Sequence, residues 1–387
     1  MVSTIVALDL GTTHIRGVEA EIKNGKRPKI KKIHSVAIDE EIVSIGEIVN
    51  VEGLTKAIKK LWDEAKFKSK YVITMAGGEA IENRILNTPW SPDEDYKRLL
   101  PHYIKEDSIL ADKEEEYYFD SHTLNEYFET SDENSMSMNS NKRMKEVIVA
   151  AVKKTFIENF VKAIEANGLR PYGVDVLPLA LIRSQAYNAD IPENASVVSI
   201  EIGGEMTTIV IHKNHQPAYI TNAPALGGLR VTNEIASSLA ITTAQAELLK
   251  ISFSVPPERR DELKTYDYFD NGTRPVEVKY SSFSQAQKEQ AVVIVSREVS
   301  NIISYITEIL DDAYSNSVDT PFRILLSGGG VGLHTLLSRV QSELGVPTEI
   351  VQPFANADVS GLTEDQVANQ HIYTSLFGLL VGQDEVK

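Results

Sequence analysis

The apolar positions of this chain alternate between short β-branched runs closed by glycine turns and longer stretches at helical spacing, the signature of a mixed α/β protein. Ser3 to Leu10 is one such run. It breaks at Gly11-Thr12-Thr13 and resumes from Ile15 to Ala20, which predicts a hairpin. A third strand is expected over Lys29 to Ile38. Leu54, Ala57, Ile58, Leu61, Trp62 and Ala65 follow a helical period, and Tyr71 to Met75 predicts a strand ending at Ala76-Gly77-Gly78.

A small separate unit is expected next. A strand over Ala80 to Leu86 leads to Ser91, a predicted N-cap, with Pro92 at the first helical position and Asp93, Glu94 and Asp95 in the first turn. Strands near Glu116 to Asp120 and Lys145 to Val152 flank SDENSMSMNSN (Ser131 to Asn141), whose lack of core-forming residues predicts a mobile loop. Phe156, Phe160, Val161 and Ile164 mark a helix closed by Asn167-Gly168. Val174 to Tyr187 reads as another helix, with Pro178 near its start.

The second half repeats the theme. Strands are expected over Ser196 to Ile202, Thr207 to Ile211 and Ala218 to Asn222, with Gly203-Gly204 between the first two. Gly227-Gly228 precedes a helix from Arg230 to Leu239, and Thr243 is read as the cap of another, Ala244 to Lys250. Ser252 to Ser284 is polar and gives no clear element. A long helix from Ser284 to about Tyr314 carries Val292, Val295, Val299, Ile302, Ile303, Ile306 and Leu310 on one stripe, read as packed core. The strand Ile324 to Leu326 runs into Gly328-Gly329-Gly330, followed by a helix from His334 to Leu344.

Composition narrows the function classes. The 387 residues include 39 Lys+Arg against 55 Asp+Glu, a net charge of −16. Such a chain is a poor general polyanion binder, and no dense Lys/Arg run is expected to offset that, so nucleic acid is not an expected partner. There is no cysteine, which removes disulfides, thiolate nucleophiles and cysteine-based zinc sites, and the 8 histidines form no HExxH or short pair. No run reaches the roughly 18 apolar residues of a membrane span. The N-terminus MVSTIVALDLGTT lacks the build of a signal peptide, so a cytoplasmic protein without membrane insertion is expected.

The informative feature is an internal repeat. Asp9-Leu10-Gly11-Thr12-Thr13 ends one strand and opens another; Glu201-Ile202-Gly203-Gly204-Glu205-Met206-Thr207-Thr208 does the same about 190 residues later. Glycine permits close backbone approach to phosphate, successive amide N–H groups make an anion nest, and threonine hydroxyls add donors. The strand-end acids, Asp9 and Glu201, suit Mg²⁺ held through water. Used twice, acid plus Gly/Thr turn reads as a clamp on a magnesium nucleotide. The turn at Gly328, Gly329 and Gly330 would lie against the purine or its α-phosphate. Glu247 and Lys250, one helical turn apart, share a face and can reach ribose hydroxyls; alone, either reads as half of a solvated pair.

Those residues resemble a known superfamily. DLGTTHIRGVE, IEIGGEMTTIVI and ILLSGGGVGL are similar to the first phosphate, second phosphate and adenosine motifs of the actin-like ATPases. NTPWSPDEDYKRLL, the stretch KEVIVAAVKKTFIENFVKAIEANGLRPYGVDVLPLALIRS, ALGGLRVTNEIASSLAITTAQAELLK and HIYTSLFGLLVG resemble segments of the PilM proteins of type IV pilus assembly, relatives of the division protein FtsA. The resemblance implies an α/β fold of two similar ribonuclease-H-like lobes around a nucleotide cleft. On this chain, residues 1–79 and the connecting helix 171–190 would make the first lobe, with a small α+β subdomain inserted at 80–170. Residues 191–370 would make the second lobe, with its own subdomain around 251–320, and 371–387 the second connecting helix. It also implies ATP and Mg²⁺ as ligands, with Arg16 among the nucleotide contacts. The implied partner is the cytoplasmic N-terminal peptide of a PilN-like membrane protein, seated in a groove between the first lobe and the insert, which would recruit the chain to the inner face of the membrane. Other pilus assembly proteins and self-association are left open.

Departures from the family pattern bear on catalysis. The second acid is Glu201 where Asp is usual, Leu177 stands where an acid often orients water, and Arg16 replaces a common Lys. Together they imply nucleotide binding with slow or absent hydrolysis, and no catalytic residue is assigned. Two alternatives stay open: an FtsA-like division protein, disfavoured by the short acidic tail Gln383-Asp384-Glu385-Val386-Lys387, and a small-molecule kinase of the same fold, for which Asp175 is the candidate acid.

Overall fold

Two five-stranded sheets with the same strand order organise the chain. The computed structural model describes residues 4–23, 25–38, 42–44, 46–106, 114–129, 142–268, 275–315 and 320–382; the expected loop over Ser131 to Asn141 and the tail from Gln383 lie outside them. In chain order come β1 (Thr4–Leu10), β2 (His14–Glu21), β3 (Lys29–Ala37), the short strands β4 (Val43–Ser44) and β5 (Glu47–Ile48), α1 (Val51–Ala65), β6 (Tyr71–Ala76), β7 (Ile81–Pro89), α2 (Asp93–Glu106), β8 (Tyr117–Glu129), β9 (Lys142–Lys153), α3 (Lys154–Ala166), β10 (Arg170–Val176) and α4 (Leu177–Asn188). Then follow β11 (Ser196–Ile202), β12 (Met206–Lys213), β13 (Gln216–Pro224), α5 (Gly228–Leu239), α6 (Thr243–Ser252), β14 (Lys264–Tyr268), β15 (Pro275–Lys279), α7 (Gln285–Tyr314), β16 (Pro321–Ser327), α8 (Leu336–Leu344), β17 (Thr348–Ile350), α9 (Glu364–Ala368) and α10 (Thr374–Val381). The chain divides into two compact units, one of Met1–Glu193, Val210–Ile220 and Pro353–Lys387, the other of Asn194–Ile209 and Thr221–Gln352.

The first sheet runs β10-β6-β1-β2-β3 and the second β17-β16-β11-β12-β13. β1 pairs with β6 in parallel, and β11 pairs with β16 in parallel, so the two halves share the topology that the repeated turn foreshadows. In β1 successive side chains go to opposite faces. Val6 and Leu8 join Leu54, Ile58 and Leu61 of α1 and Phe156, Phe160 and Ile164 of α3. Ile5 and Ala7 face Leu376, Phe377 and Leu380 of α10.

α4 and α10 touch backbone to backbone. A Cβ on Gly378 would fall 1.8 Å from the Ala180 carbonyl oxygen, so only glycine fits. Arg183 on α4 donates from Nε to the Gly378 carbonyl at 3.4 Å and pairs with Asp175. The far end of the β12–β13 hairpin packs Val210 and Ile220 on Leu181 and Ile182. There His212, fully buried, meets Gln185 Oε1 through Nε2 at 3.0 Å, and burial pushes it down to about 4. The unfolded chain thus binds a proton that the folded chain refuses. Stability should fall with one-proton steepness as pH drops from about 6.5 toward 4, and urea midpoints of a His212→Gln variant should lose that limb.

The insert is an antiparallel sheet, β7-β9-β8, with α2 on one face. Tyr96, Leu100 and Ile104 cover Leu86, Val147, Val149 and Ala151 there.

Several expectations need correction. Residues 174–176 belong to β10, which pairs in parallel with β6, and the helix starts at Leu177; sheet pairing overrides the helical spacing of Val174, Leu177 and Leu181. Ser91 does not cap α2: the Pro92 carbonyl accepts from Tyr96 N at 2.8 Å, and among the described residues the buried Ser91 hydroxyl has no partner. The cap of α6 is Thr242, whose Oγ1 accepts from Gln245 N while Gln245 Oε1 accepts from Thr242 N; only that frame supplies the glutamine a capping box requires. Val292 is 39% exposed, because the buried stripe of α7 starts from Ala291 and Ile294. α8 starts at Leu336, after Thr335 at φ +65°. Within 252–284 the structure places the β14–β15 hairpin between two 3-10 turns.

Candidate functional site

The two acid–glycine turns are built alike. In the first unit Gly11 N donates to the His14 carbonyl at 3.0 Å; in the second Gly203 N donates to the Met206 carbonyl at 2.8 Å. A Cβ on Gly11 would approach the His14 oxygen to 3.0 Å, and one on Gly203 the Met206 oxygen to 2.9 Å. Either turn therefore closes tightest with glycine, two positions after its acid.

In the first turn, Asp9 ends β1 and sits opposite Arg16 of β2. Arg16 Nη1 lies 3.3 Å from Asp9 Oδ2, with both side chains mostly buried. Burial pushes the Asp9 carboxyl above its ordinary range, and the Arg16 charge and hydrogen bond only partly pull it back. Thr12 is partly exposed, and Thr13 Oγ1 is 3.0 Å from His14 Nδ1. His371 and Tyr373 feel Arg16: burial, with the Arg16 charge adding to it, holds His371 below the ordinary histidine range. Neither stands out by spacing; the only sequence signal is their place in HIYTSLFGLLVG.

In the second unit more of the expected residues converge. Gly228 N donates to the Gly203 carbonyl at 3.0 Å and Leu229 N to the Gly204 carbonyl at 2.7 Å, so the first amides of α5 seal the turn. A Cβ on Gly227 would lie 2.4 Å from the Gly204 oxygen. Gly227 and Gly228 were not among the expected site residues, although a Gly-Gly pair between strand and helix is a signal for such a close approach. Thr207 is buried and its hydroxyl donates to the Leu226 carbonyl; Glu205 is exposed.

Glu247 and Lys250 are not a solvated pair. Lys250 Nζ donates to the Gly228 carbonyl at 3.0 Å and Thr232 Oγ1 at 2.8 Å, and pairs with Glu247 Oε2 at 2.7 Å. Those three bonds use its three donors. Glu247 Oε2 also accepts from Thr232 Oγ1 at 2.6 Å, so the pair is tied to the start of α5. At the end of β11, Gly328 sits at φ +87° with its missing Cβ position 2.5 Å from the Ile202 oxygen, and a Cβ on Gly330 would strike Ile202 Cγ2 at 2.2 Å. Both glycines are buried against the end of β11, and Gly329 is exposed. Glu201, next to Ile202, stands opposite Ser327 of β16.

Among the described residues no three carboxylates or histidines converge on one point. A Mg²⁺ ion here would take most of its ligands from phosphate and water, which suits a single strand-end acid per turn. Leu177 lies 3.3 Å from where a Gly77 Cβ would be, and both Asp175 oxygens are occupied, one by Val176 N and one by Arg183.

The sequence profile described as "Type IV pilus assembly protein PilM" matches residues 7–296. This chain belongs to the PilM family. Solved structures similar to this PilM-family chain include a PilM–PilN type IV pilus biogenesis complex, 20% identical over 97% of each chain with a TM-score of 0.77. MreB5 of Spiroplasma citri bound to ADP is 11% identical, covers 100% of this chain and 97% of that one, and gives a TM-score of 0.52. EutJ, an ethanolamine utilization protein from Carboxydothermus hydrogenoformans, is 13% identical, covers 97% and 88%, and gives 0.51. The PilM-family chain has the actin-like ATPase fold these structures share.

Proposed function

We propose that this chain is a nucleotide-binding scaffold of type IV pilus assembly that holds Mg-ATP and captures the cytoplasmic N-terminal peptide of a PilN-like membrane protein. The observation that carries the nucleotide half is the duplicated turn, with Gly11 and Gly203 closing on the same pattern of backbone bond. In the first unit the Gly11 amide closes the turn on the His14 carbonyl, and the amides and hydroxyls of Thr12 and Thr13 are the donors for phosphate. In the second unit the Gly203 amide closes the turn on the Met206 carbonyl, the amides of Gly204 and Glu205 are the donors, and the Thr207 hydroxyl holds the turn closed. Asp9 and Glu201 receive the metal through its waters, and Arg16 sets the position of Asp9. Glu247 takes the ribose hydroxyls, Lys250 positions Glu247, and Gly328, Gly329 and Gly330 leave a side-chain-free wall for the base.

Hydrolysis is proposed to be slow. Leu177 offers no acceptor to attacking water, and Asp175 is spent on Arg183 and its own helix start, which also removes the main support for a kinase. Steady-state phosphate release should stay near background; turnover at ordinary ATPase rates would refute this.

The peptide half is supported by family membership and by the insert's second face. Ile85 of β7, Ile148 of β9 and His122 of β8 stand side by side across the sheet, away from α2. Ile81 and Val152, farther along that face, join the core beneath α1 and α3. Asn83, Ala150 and Asp120 stand in the row between them, and a face that mixes apolar and polar positions suits a short amphipathic peptide. Peptides from PilN-like proteins, immobilised and offered the chain with and without Mg-ATP, test the partner. An Ile85→Arg variant should lose capture roughly 30-fold while melting normally; unchanged capture would move the groove elsewhere.

A further inference from the structure

The end of the first sheet remote from Asp9 is strongly basic, which corrects the expectation that the chain has no dense Lys/Arg run. Lys and Arg fill six of the ten positions from Lys23 to Lys32, in a chain whose net charge is −16. Lys26 and Arg27 lie exposed in the β2–β3 connection, where Gly25 adopts φ +69° with open space around it. A second array comes from the link between α1 and β6. Lys66, Lys68 and Lys70 are exposed and alternate with buried Phe67 and Ser69.

The fold holds these two segments at one rim. Glu19, buried on β2, accepts from the backbone N–H groups of Lys68 and Ser69 at 2.6 and 2.7 Å. Ser69 Oγ donates to the Thr4 carbonyl at 2.7 Å, at the first residue of β1. Thr4 stands opposite Glu21, which stands opposite Lys29. Arg170 N bonds the Lys70 carbonyl at 2.7 Å, bringing β10 to the same end. The rim thus spans the ends of five strands, roughly 20 Å, about 17 Å of strand from Asp9. Glu21 pairs with Lys23 and Lys31, and Asp358 with Lys29. Among the described residues no carboxylate pairs with Lys26, Arg27, Lys66, Lys68 or Lys70.

We infer that this rim is a docking surface for an anionic lipid bilayer. Charge complementarity decides the occupant. Screening at physiological salt acts over about 8 Å, so a planar anionic surface meets the near face and not the acidic remainder of the chain. Lysines dominate, and a lysine is a hydrated point charge that responds to the mean potential of a headgroup layer. Nucleic-acid surfaces add aromatic platforms for bases. Here the Tyr71 ring is covered by the Arg170 guanidinium at 5.9 Å. Among the described residues no helix can cross a membrane, so attachment is peripheral and electrostatic.

The test is co-sedimentation of the full chain with vesicles, in the absence of peptide and nucleotide, so that it stands or falls apart from the scaffold reading. Vesicles of phosphatidylglycerol and phosphatidylethanolamine should bind the chain at about 0.05 M salt and release it at about 0.5 M, while phosphatidylcholine vesicles should not bind it. A Lys26→Gln/Arg27→Gln variant should bind about 30-fold more weakly with an unchanged melting temperature. Lys97→Gln/Lys105→Gln, an equal charge change on exposed positions of α2, should bind as the parent does. Failure of the parent chain to bind, equal binding to neutral vesicles, equal losses in both variants, or capture of duplex DNA with vesicles ignored would each overturn the inference.

Discussion

The Asp9→Asn variant is expected to lose magnesium-dependent nucleotide binding and to gain thermal stability in the ligand-free state. Asp9 is a mostly buried carboxylate whose partner is Arg16 at 3.3 Å. Burial already pushes its proton affinity up against the pull of that arginine, so the charge is held at a cost to folding. An amide of the same shape removes the cost and keeps the Arg16 side chain in place. It also removes the negative charge that draws hydrated magnesium to the first turn. Calorimetric titration with Mg-ATP should show affinity reduced by about 10–100-fold, with less change for nucleotide in excess chelator. The ligand-free melting temperature should rise, the usual sign of a site kept for function. Asparagine binding Mg-ATP as aspartate does would mean that Asp9 is a structural anchor for Arg16 and that the metal assignment fails.

Gly378→Ala should destabilise the first unit severely. In an exposed helix this change is favourable by roughly 1 kcal/mol, because glycine is the worse helix former. Here the added methyl would sit 1.8 Å from the Ala180 carbonyl oxygen, on backbone that has no rotamer to escape into. Separating α4 from α10 also disturbs the Arg183 bond to the Gly378 carbonyl and the packing of Leu376, Phe377 and Leu380 on the first sheet. Overpacking and lost contacts together should outweigh the helix gain and leave a net loss of about 3 kcal/mol. For a unit of this size that is a fall of about 6–12 °C in melting temperature. An unchanged or raised melting temperature would show that the two helices slide apart freely.

Much of this was legible because the repeat is written in residue types that physics constrains. An acid followed two positions later by glycine, between two apolar runs, left one economical backbone path, and both turns take it. Apolar β-branched runs broken by glycine turns indicated β1, β2 and β11, and a stripe of apolar residues at helical spacing indicated α7. The missed strand β10 carries Pro171 and Gly173, poor strand formers, and its pairing with β6 comes from a partner far away in sequence. Thr242 and Thr243 differ only in which one finds a glutamine three positions on. Lys250 looked like a surface lysine, because nothing local reveals that α5 brings the Gly228 carbonyl and Thr232 to it. The basic rim draws on Lys23 to Lys32, Lys66 to Lys70 and Arg170, and only the sheet makes these neighbours.

The seal between α5 and the second turn has a stereochemical corollary. A trans peptide unit is flat, with its oxygen and its hydrogen on opposite sides. The oxygens of Gly203 and Gly204 point at the amides of Gly228 and Leu229. The hydrogens on the nitrogens of Gly204 and Glu205, in those same two planes, must therefore point the other way, as an adjacent pair of parallel dipoles fixed before any anion arrives.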